Sequence, residues 1–183
     1  SSSGKDMGGI SPELLQEAMR AGVMSEGAPF AQSLLDAIGK SGDEYFVQSA
    51  IYAVAGSEDE ATLDKLFDMS LTPAIRLGDL RYVLRYAEAE AAARPALWSW
   101  FKTNYAAMLK RVSRRGMSFA PEIQKFGCDQ ATKDDVQAFL GPKTAELEGT
   151  SRNLEQTGDR IDRCMKFKAA KGAEIEAALQ AMN

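Results

Sequence analysis

The sequence predicts an all-α fold, an irregular α-solenoid of about ten helices, and three observations support this prediction. Apolar residues recur at helical spacing along almost the whole chain, and no stretch alternates strictly enough to indicate a strand. Residues typical of helix starts and helix ends flank the apolar segments: Ser11-Pro12 precedes one apolar face, and Gly141-Pro142 follows another. The connections are only a few residues long, which favours antiparallel packing of neighbouring helices into stacked hairpins.

The start signals also set the order of the helices. Ser41-Gly42-Asp43-Glu44 and Ser57-Glu58-Asp59-Glu60 both fit a capping box in which the serine is the N-cap, and Thr132 is a later candidate cap. No strict repeat period is present, so we expect an irregular superhelix of the HEAT or armadillo kind. The predicted helices begin near Ser11, Pro29, Ser41, Ser57, Pro73, Arg94, Gly116, Thr132 and Lys143, and a last one carries Ile175, Leu179 and Met182.

The composition excludes several classes of function. The chain has 183 residues, a formal net charge of -4 and no histidine. Within this chain, the missing histidine excludes His-dependent triads, His-ligated zinc and imidazole catalysis. Mild acidity with both signs interspersed argues against a nucleic-acid partner, and no apolar run reaches the ~18–20 residues of a membrane span. The length fits one domain, so residues 10–183 are predicted as a single helical domain and residues 1–9 as a linker or a remnant of expression.

The two cysteines, Cys128 and Cys164, form no CxxC or other close pair in the sequence. Two thiols in a chain of this size favour a reducing compartment or simple core filling, and one disulfide stays open as an alternative. The first residues, SSSGKDMGG, do not have the pattern of a secretory signal peptide. A cytoplasmic location is therefore expected.

Three short motifs could bind a ligand, but each has a simpler structural interpretation. Gly39-Lys40-Ser41 looks like the end of a P-loop, yet it lacks the earlier glycine and the preceding strand. Glu58-Asp59-Glu60 could form a divalent-metal loop, but acids in a first helical turn complement the helix dipole. The basic residues of segment 110–115 could contact phosphate or an acidic peptide, but cations at a helix C-terminus also complement the dipole. We therefore predict no metal or phosphate site here.

The segment between Ile75 and Val112 carries a recognisable pattern. Arg76 follows Ile75, Asp79 comes three residues later, and an apolar helix leads to Leu97-Trp98-Ser99-Trp100-Phe101-Lys102-Thr103-Asn104-Tyr105. The pattern resembles the C-terminal helical domain of zinc aminopeptidases of the aminopeptidase N type, and it is most similar to the puromycin-sensitive and endoplasmic-reticulum branch. The resemblance extends over about residues 11–182.

The resemblance implies that this chain is an accessory domain of a larger zinc metallo-aminopeptidase. In that family, the zinc site is an H-E-x-x-H helix with a distant Glu, and the C-terminal domain encloses the catalytic cavity and limits or holds the peptide. This chain contains no H-E-x-x-H segment. The implied partners are the catalytic domain of the same polypeptide and the peptide substrate, with zinc in that catalytic domain and no cofactor in this chain. The alternative is a free-standing α-solenoid that binds other proteins.

The resemblance also assigns roles to individual residues. Trp98, Phe101, Asn104 and Tyr105 are expected to be structural, and an aromatic stripe at helical spacing is usually core. A contact with the substrate cavity or with another domain is the expectation for Arg76, Asp79, Arg81 and Arg85. The i,i+3 spacing of Arg76 and Asp79 favours an ion pair that fixes a helical turn. No catalytic residue and no metal ligand are predicted.

Overall fold

The fold was obtained as a computed structural model that describes residues 11–182; the predicted linker at residues 1–9 lies outside them. Within residues 11–182 the chain forms nine α-helices, two 3₁₀ helices and no strand, which confirms the all-α prediction. The α-helices are α1 (Pro12–Glu26), α2 (Ala28–Ile38), α3 (Glu44–Ala55), α4 (Glu60–Met69), α5 (Leu77–Ala89), α6 (Ala93–Thr103), α7 (Tyr105–Gly116), α8 (Gln130–Leu140) and α9 (Thr150–Ala181). The 3₁₀ helices are Met117–Gln124 and Gly141–Lys143.

The chain divides into two compact units, Ser1–Trp100 and Phe101–Asn183. We call them unit 1 and unit 2 and describe each by itself. The solenoid arrangement and the single domain at residues 10–183 stay predictions. None of the helices in the described range 11–182 has both the length and the hydropathy needed to cross a membrane.

Unit 1 is organised around α3, which packs against α1, α2, α4 and α5. Most of this helix is buried, because small residues such as Ala50 and Ala53 let neighbouring helices approach on one side while Ile51 and Val54 fill the space on others. An isolated apolar helix of this kind would expose its surface to water, so its burial by four neighbours stabilises unit 1.

The caps of α3 and α4 correct the capping-box prediction. The N-caps are Asp43 and Asp59, whereas Ser41 and Ser57 lie two residues earlier. Each serine Oγ accepts a hydrogen bond from the backbone N–H of its aspartate, at 3.1 Å in both cases. The carboxylate therefore takes the cap, because an ionised oxygen accepts a stronger hydrogen bond from the helix than a hydroxyl does. The same correction applies to α8, where the N-cap is Asp129 and not the predicted Thr132.

The predicted helix from Arg94 to Gly116 is two helices in the structure. Asn104 separates α6 from α7 with φ -99° and ψ 13°, outside helical geometry. Asparagine competes with the helix for backbone hydrogen bonds, which explains a break that apolar periodicity does not reveal. A second irregularity lies inside α7, where Ser113 has a left-handed φ of 69°.

Unit 2 is organised around the 3₁₀ helix Met117–Gln124, which packs against α7, α8 and α9. Met117, Ala120 and Ile123 are fully buried in this element. Pro121 removes one backbone donor from it, and such a residue is tolerated poorly inside an α-helix. The helix predicted to begin near Gly116 is therefore a 3₁₀ helix rather than an α-helix.

The last two predicted helices are one helix of 32 residues, α9. It begins at Thr150 rather than Lys143, because Gly149 adopts a left-handed φ of 76° just before it. Gly172 lies inside α9 without ending it, so the predicted break before Ile175 is wrong.

The cysteines correct another expectation. Cys128 and Cys164 form a disulfide with a Cα–Cα distance of 5.2 Å, so they are not the free or core-filling thiols that the sequence favoured. The bond ties the segment before α8 to the middle of α9. Lys133 on α8 strengthens the same junction, because its Nζ donates to both carboxylate oxygens of Asp162 at 2.7 Å.

Candidate functional site

The first predicted site residues lie at the start of α5. Arg76 is the N-cap residue, and its Nε donates to Asp79 Oδ2 at 2.6 Å. This is the ion pair that their spacing predicted, and it raises the pKa of Arg76, first through the hydrogen bond to Asp79. The Asp79 side chain is 3% exposed and that of Arg76 is 55% exposed. The pair fixes the first turn of α5, and the exposed guanidinium is the part that another molecule can reach.

Arg81 and Arg85 follow on the outer face of α5. Leu77, Arg81 and Arg85 are spaced four residues apart and are all exposed, so they form one continuous face. Arg81 is held against its neighbour, because its Nη2 donates to the hydroxyl of Tyr82 at 2.8 Å and its Cζ lies 4.7 Å from the centre of that ring. The structure thus brings Arg81 to a tyrosine and leaves Arg85 on the surface.

Three half-buried tyrosines lie beside this face in unit 1. The rings of Tyr82 and Tyr86 stack at 6.0 Å, and Tyr86 meets Tyr52 of α3 edge to face at 5.2 Å. Arg20 of α1 lies 5.0 Å from the centre of the Tyr52 ring. We call Arg81, Tyr82, Tyr86, Tyr52 and Arg20 the tyrosine–arginine strip. Half-buried aromatic rings with cations at both ends suit the binding of extended peptides, since each ring offers an apolar face and a polar hydroxyl.

Arg20 links the strip to a groove. Its Nη1 donates to Glu90 Oε1 at 2.7 Å, and this hydrogen bond is the first cause that raises the pKa of Arg20. The guanidinium lies so close to Gly56, the C-cap of α3, that a Cβ at Gly56 would be 2.7 Å from Arg20 Nη1. A cation at this position also complements the C-terminal end of the α3 dipole.

The groove has a volume of about 480 Å³, within the range of small-ligand sites. Carboxylates of Glu58, Asp59 and Glu90 outnumber the single guanidinium of Arg20, so the lining is acidic. Met24 adds an apolar side chain that is 74% exposed. The complete lining is Arg20, Val23, Met24, Gly27, Ala28, Gly56, Ser57, Glu58, Asp59, Glu90 and Ala92. This combination can accept an amino or guanidino group together with an adjoining apolar side chain.

The aromatic motif takes structural positions in both units. In unit 1, Trp98 is 6% exposed and Trp100 donates from Nε1 to Asp68 Oδ1 at 2.8 Å. In unit 2, Phe101 is fully buried and meets the rings of Tyr105, Phe119 and Phe139 at 6.0 to 6.4 Å. Burial raises the pKa of the Tyr105 hydroxyl. Asn104 lies at the junction of α6 and α7.

The other short motifs also take positions in secondary structure. Asp59 caps α4 by accepting from the backbone N–H of Thr62 at 2.8 Å, and Glu60 is in the first turn. Gly39-Lys40-Ser41 forms the turn between α2 and α3. Arg114 and Arg115 lie in the last turn of α7. In the described part of the chain, no three or more of Cys, Asp and Glu lie together as a candidate metal site.

Sequence reasoning missed most of the strip and the groove. The i,i+4 spacing of Tyr82 and Tyr86 was a visible signal that two rings share a face of α5. Nothing in the sequence joins Arg20 to Glu90, because 70 residues separate them and only the packing of α1 and α5 against α3 brings them together.

Comparison with known proteins identifies the family. The family described as "ERAP1-like C-terminal domain" matches residues 2–163. No curated protein matches the chain. The family match covers most of the 183 residues, including all of the strip and the groove. Together with the helical architecture, it shows that the chain belongs to the ERAP1-like C-terminal domain family.

Proposed function

We propose that this chain is the C-terminal accessory domain of a zinc-dependent aminopeptidase, that it helps to enclose the catalytic cavity, and that it holds part of the peptide substrate without catalysing its hydrolysis. The family match over residues 2–163 carries this proposal. It implies that the domain belongs with a catalytic domain in one polypeptide.

The missing histidine agrees with a non-catalytic role. The H-E-x-x-H segment of zinc aminopeptidases requires two histidines, and this chain has none. We propose that zinc belongs to the catalytic domain and supplies the activated water there. The residues of this chain then act only on the peptide, by orienting it and by limiting which peptides enter.

The strip and the groove are the surfaces that we propose for the peptide. Rings of Tyr52, Tyr82 and Tyr86 can stack on apolar side chains, while Arg81 can bind a carboxylate or a backbone carbonyl. The acidic groove beside Arg20 can bind a basic side chain with charge-assisted hydrogen bonds. Nucleic acid is a poor partner for this surface, since the groove is acidic and the chain carries a net charge of -4.

A peptide-binding measurement tests the proposal. Labelled peptides with basic and apolar residues are titrated with the chain and followed by fluorescence anisotropy. The variant Met24→Lys places a positive charge in the groove at an exposed position, and Leu14→Lys places the same charge on α1 outside the groove lining. We expect saturable binding of these peptides to weaken several-fold in Met24→Lys, which repels a basic side chain and removes the apolar contact, and to stay unchanged in Leu14→Lys. Equal behaviour of both variants, or no saturable binding, would contradict peptide holding.

An assay of the chain alone tests the absence of catalysis. We expect no hydrolysis of aminoacyl substrates and no stoichiometric zinc after purification. Clear turnover would overturn the accessory role. Sequencing of the transcript upstream of Ser1 separates the two classes of function: a continuous reading frame with H-E-x-x-H supports the aminopeptidase domain, whereas a frame without it supports a free-standing protein-binding solenoid.

The location of the protein is a separate proposal. Because of its thiol content we expected a cytoplasmic protein, whereas the Cys128–Cys164 disulfide is typical of oxidising compartments. Alkylation of thiols in intact cells followed by mass spectrometry distinguishes the two cases. Modified cysteines support the cytoplasm, and unmodified ones support an oxidising compartment.

A further inference from the structure

The second half of α9 has no packing partner in the described part of the chain. Residues 166–182, which we call the arm, are exposed except for the half-buried Gly172, whereas Leu154 and Ile161 earlier in the helix are buried. At about 1.5 Å per residue the arm is roughly 25 Å long. It lies beyond the family match, which ends at residue 163.

The arm has an apolar stripe. Phe167, Ile175, Leu179 and Met182 are 61%, 44%, 57% and 81% exposed, and their helical spacing places them within roughly 120° of one another on one side of the helix. Ala169 and Ala173 lie on the opposite side. An exposed stripe of four large apolar side chains on a charged helix is typical of a surface that another molecule covers.

The charges of the arm are divided between its two halves. Lys166, Lys168 and Lys171 are in the first half, and Glu174 and Glu176 are in the second. A second arm lying antiparallel would place its acidic half beside the basic half of the first, whereas a parallel arm would place like charges together. Opposed helix dipoles also favour the antiparallel arrangement.

We propose that two copies of this chain associate through an antiparallel pairing of their arms, centred near Lys171. Phe167 and Ile175 are four residues before and after Lys171, so each Phe167 packs beside Ile175 of the other copy. Lys171 lies on the same face and its Nζ is bound by Glu174 of its own helix at 2.7 Å, which partly neutralises the two lysines that meet at the centre. A self-complementary surface of this kind is what a two-fold dimer requires.

Analytical ultracentrifugation of the 183-residue chain tests the pairing. We expect the average mass to rise with concentration from 19.9 kDa toward twice that value. The double variant Phe167→Glu with Ile175→Glu removes the stripe and should weaken association at least tenfold. Its matched control is Ala169→Glu with Ala173→Glu, which adds the same charges on the opposite side and should leave association nearly unchanged. Circular dichroism checks that both variants keep their helix content.

Two further variants test the orientation and the centre. Lys171→Leu removes the like charges at the centre and should tighten association several-fold. When a Phe167→Cys chain is mixed with an Ile175→Cys chain, mild oxidation should favour cross-links between the two kinds of chain. Preferential cross-links between identical chains would overturn the antiparallel orientation.

A chain that stays monomeric at high micromolar concentration overturns the proposal. If such a monomer pellets with vesicles of phosphatidylcholine and phosphatidylserine, the stripe covers a membrane surface instead. If it binds a separately expressed aminopeptidase catalytic domain, and Phe167→Glu abolishes that binding, the stripe is an interdomain contact instead.

Discussion

The two units of this chain are built around different kinds of central element. Unit 1 surrounds α3, a regular α-helix whose buried residues face four neighbouring helices. Unit 2 surrounds the 3₁₀ helix Met117–Gln124, which contains a proline and packs against three neighbours. Unit 2 also has a disulfide, whereas unit 1 is held by packing and by dispersed polar contacts such as the Arg20–Glu90 ion pair.

We infer from this difference that a unit with an irregular central helix gains stability from a disulfide and an ion pair between the elements around that helix. A 3₁₀ helix has poorer hydrogen-bond geometry than an α-helix, so less of its stability is local. The disulfide and the Lys133–Asp162 pair join the neighbours of this element directly. Unit 1 has a mostly buried α-helical centre and carries no disulfide.

The largest expected effect comes from the centre of unit 1. Ile51→Ala should lower the free energy of unfolding by about 4 kcal/mol, because the rigid helices around a fully buried side chain cannot collapse into the cavity. Ile123→Ala, equally buried in the 3₁₀ helix, should cost only about 2–3 kcal/mol, since its irregular surroundings relax more easily. Urea unfolding of both variants measures this comparison. Equal losses would show that the two centres are packed equally rigidly.

The disulfide has the next largest expected effect. Cys128→Ser with Cys164→Ser releases a loop with a sequence separation of 36 and should cost about 3–4 kcal/mol, chiefly through the larger entropy of the unfolded chain. Native-state hydrogen exchange should show lost protection in α8 and little change in α3. If protection falls equally in α3, the two units unfold together and the proposed division of stabilising roles is wrong.

The smallest expected effect concerns a kind of N-cap that occurs once in each unit, at Asp59 and at Asp129. Asp59 and Asp129 each accept from the backbone N–H and the hydroxyl of a threonine three residues later, and these hydrogen bonds lower the pKa of both carboxyls. A lowered folded-state pKa means that the stabilisation is present above pH ~4 and is lost as pH falls through the folded-state pKa. Asp129→Ala should cost about 0.5–1 kcal/mol at pH 7 and less at pH 3.

Chemical unfolding at both pH values checks this prediction, and Asp129→Asn is its control. Neither alanine nor asparagine titrates at this position, so both losses should change with pH to the same extent, because only the native Asp129 titrates. The amide of Asp129→Asn keeps an acceptor for Thr132, so its loss should be smaller than that of Asp129→Ala at both pH values. A loss that is equal at pH 7 and pH 3 would contradict the role of the ionised carboxylate. Asp59→Ala should behave in the same direction in unit 1, which tests whether the shared cap acts alike in both units.

Local signals in the sequence predicted most of the helices. Apolar periodicity identified the helical fold, and Ser11-Pro12 and Gly141-Pro142 correctly marked helix ends. The predicted helix boundaries were wrong where the backbone conformation of one residue ends or begins a helix, as at Asn104 and Gly149. Apolar spacing carries no information about the φ angle of a single residue. The sequence predicted two helices in place of the long α9, whereas Gly172 lies inside the continuous helix, and one glycine costs a helix only about 1 kcal/mol.

The candidate site was predictable only in part. The Arg76–Asp79 pair follows from spacing on one helix, and Arg81 and Arg85 were placed on the same helix. The groove needs residues from α1, from the start of α2 and from the segments that follow α3 and α5, and packing brings these together, so no local pattern contains it. The disulfide could not be deduced either, because the spacing of two cysteines does not say whether their Cα atoms come within 5.2 Å.

The unbroken course of α9 has a mechanical consequence. From Ile161, the last buried residue of the helix, to Met182 is about 32 Å at 1.5 Å per residue, with no break to absorb a sideways force. A sideways force on the tip of α9 therefore bends the helix most strongly near Asp162 and Cys164. At these two residues the ion pair joins α9 to α8, and the disulfide joins α9 to the segment before α8. Because Cys164 lies at this point, the disulfide resists bending of α9 in the folded protein and also restricts the conformations of the unfolded chain.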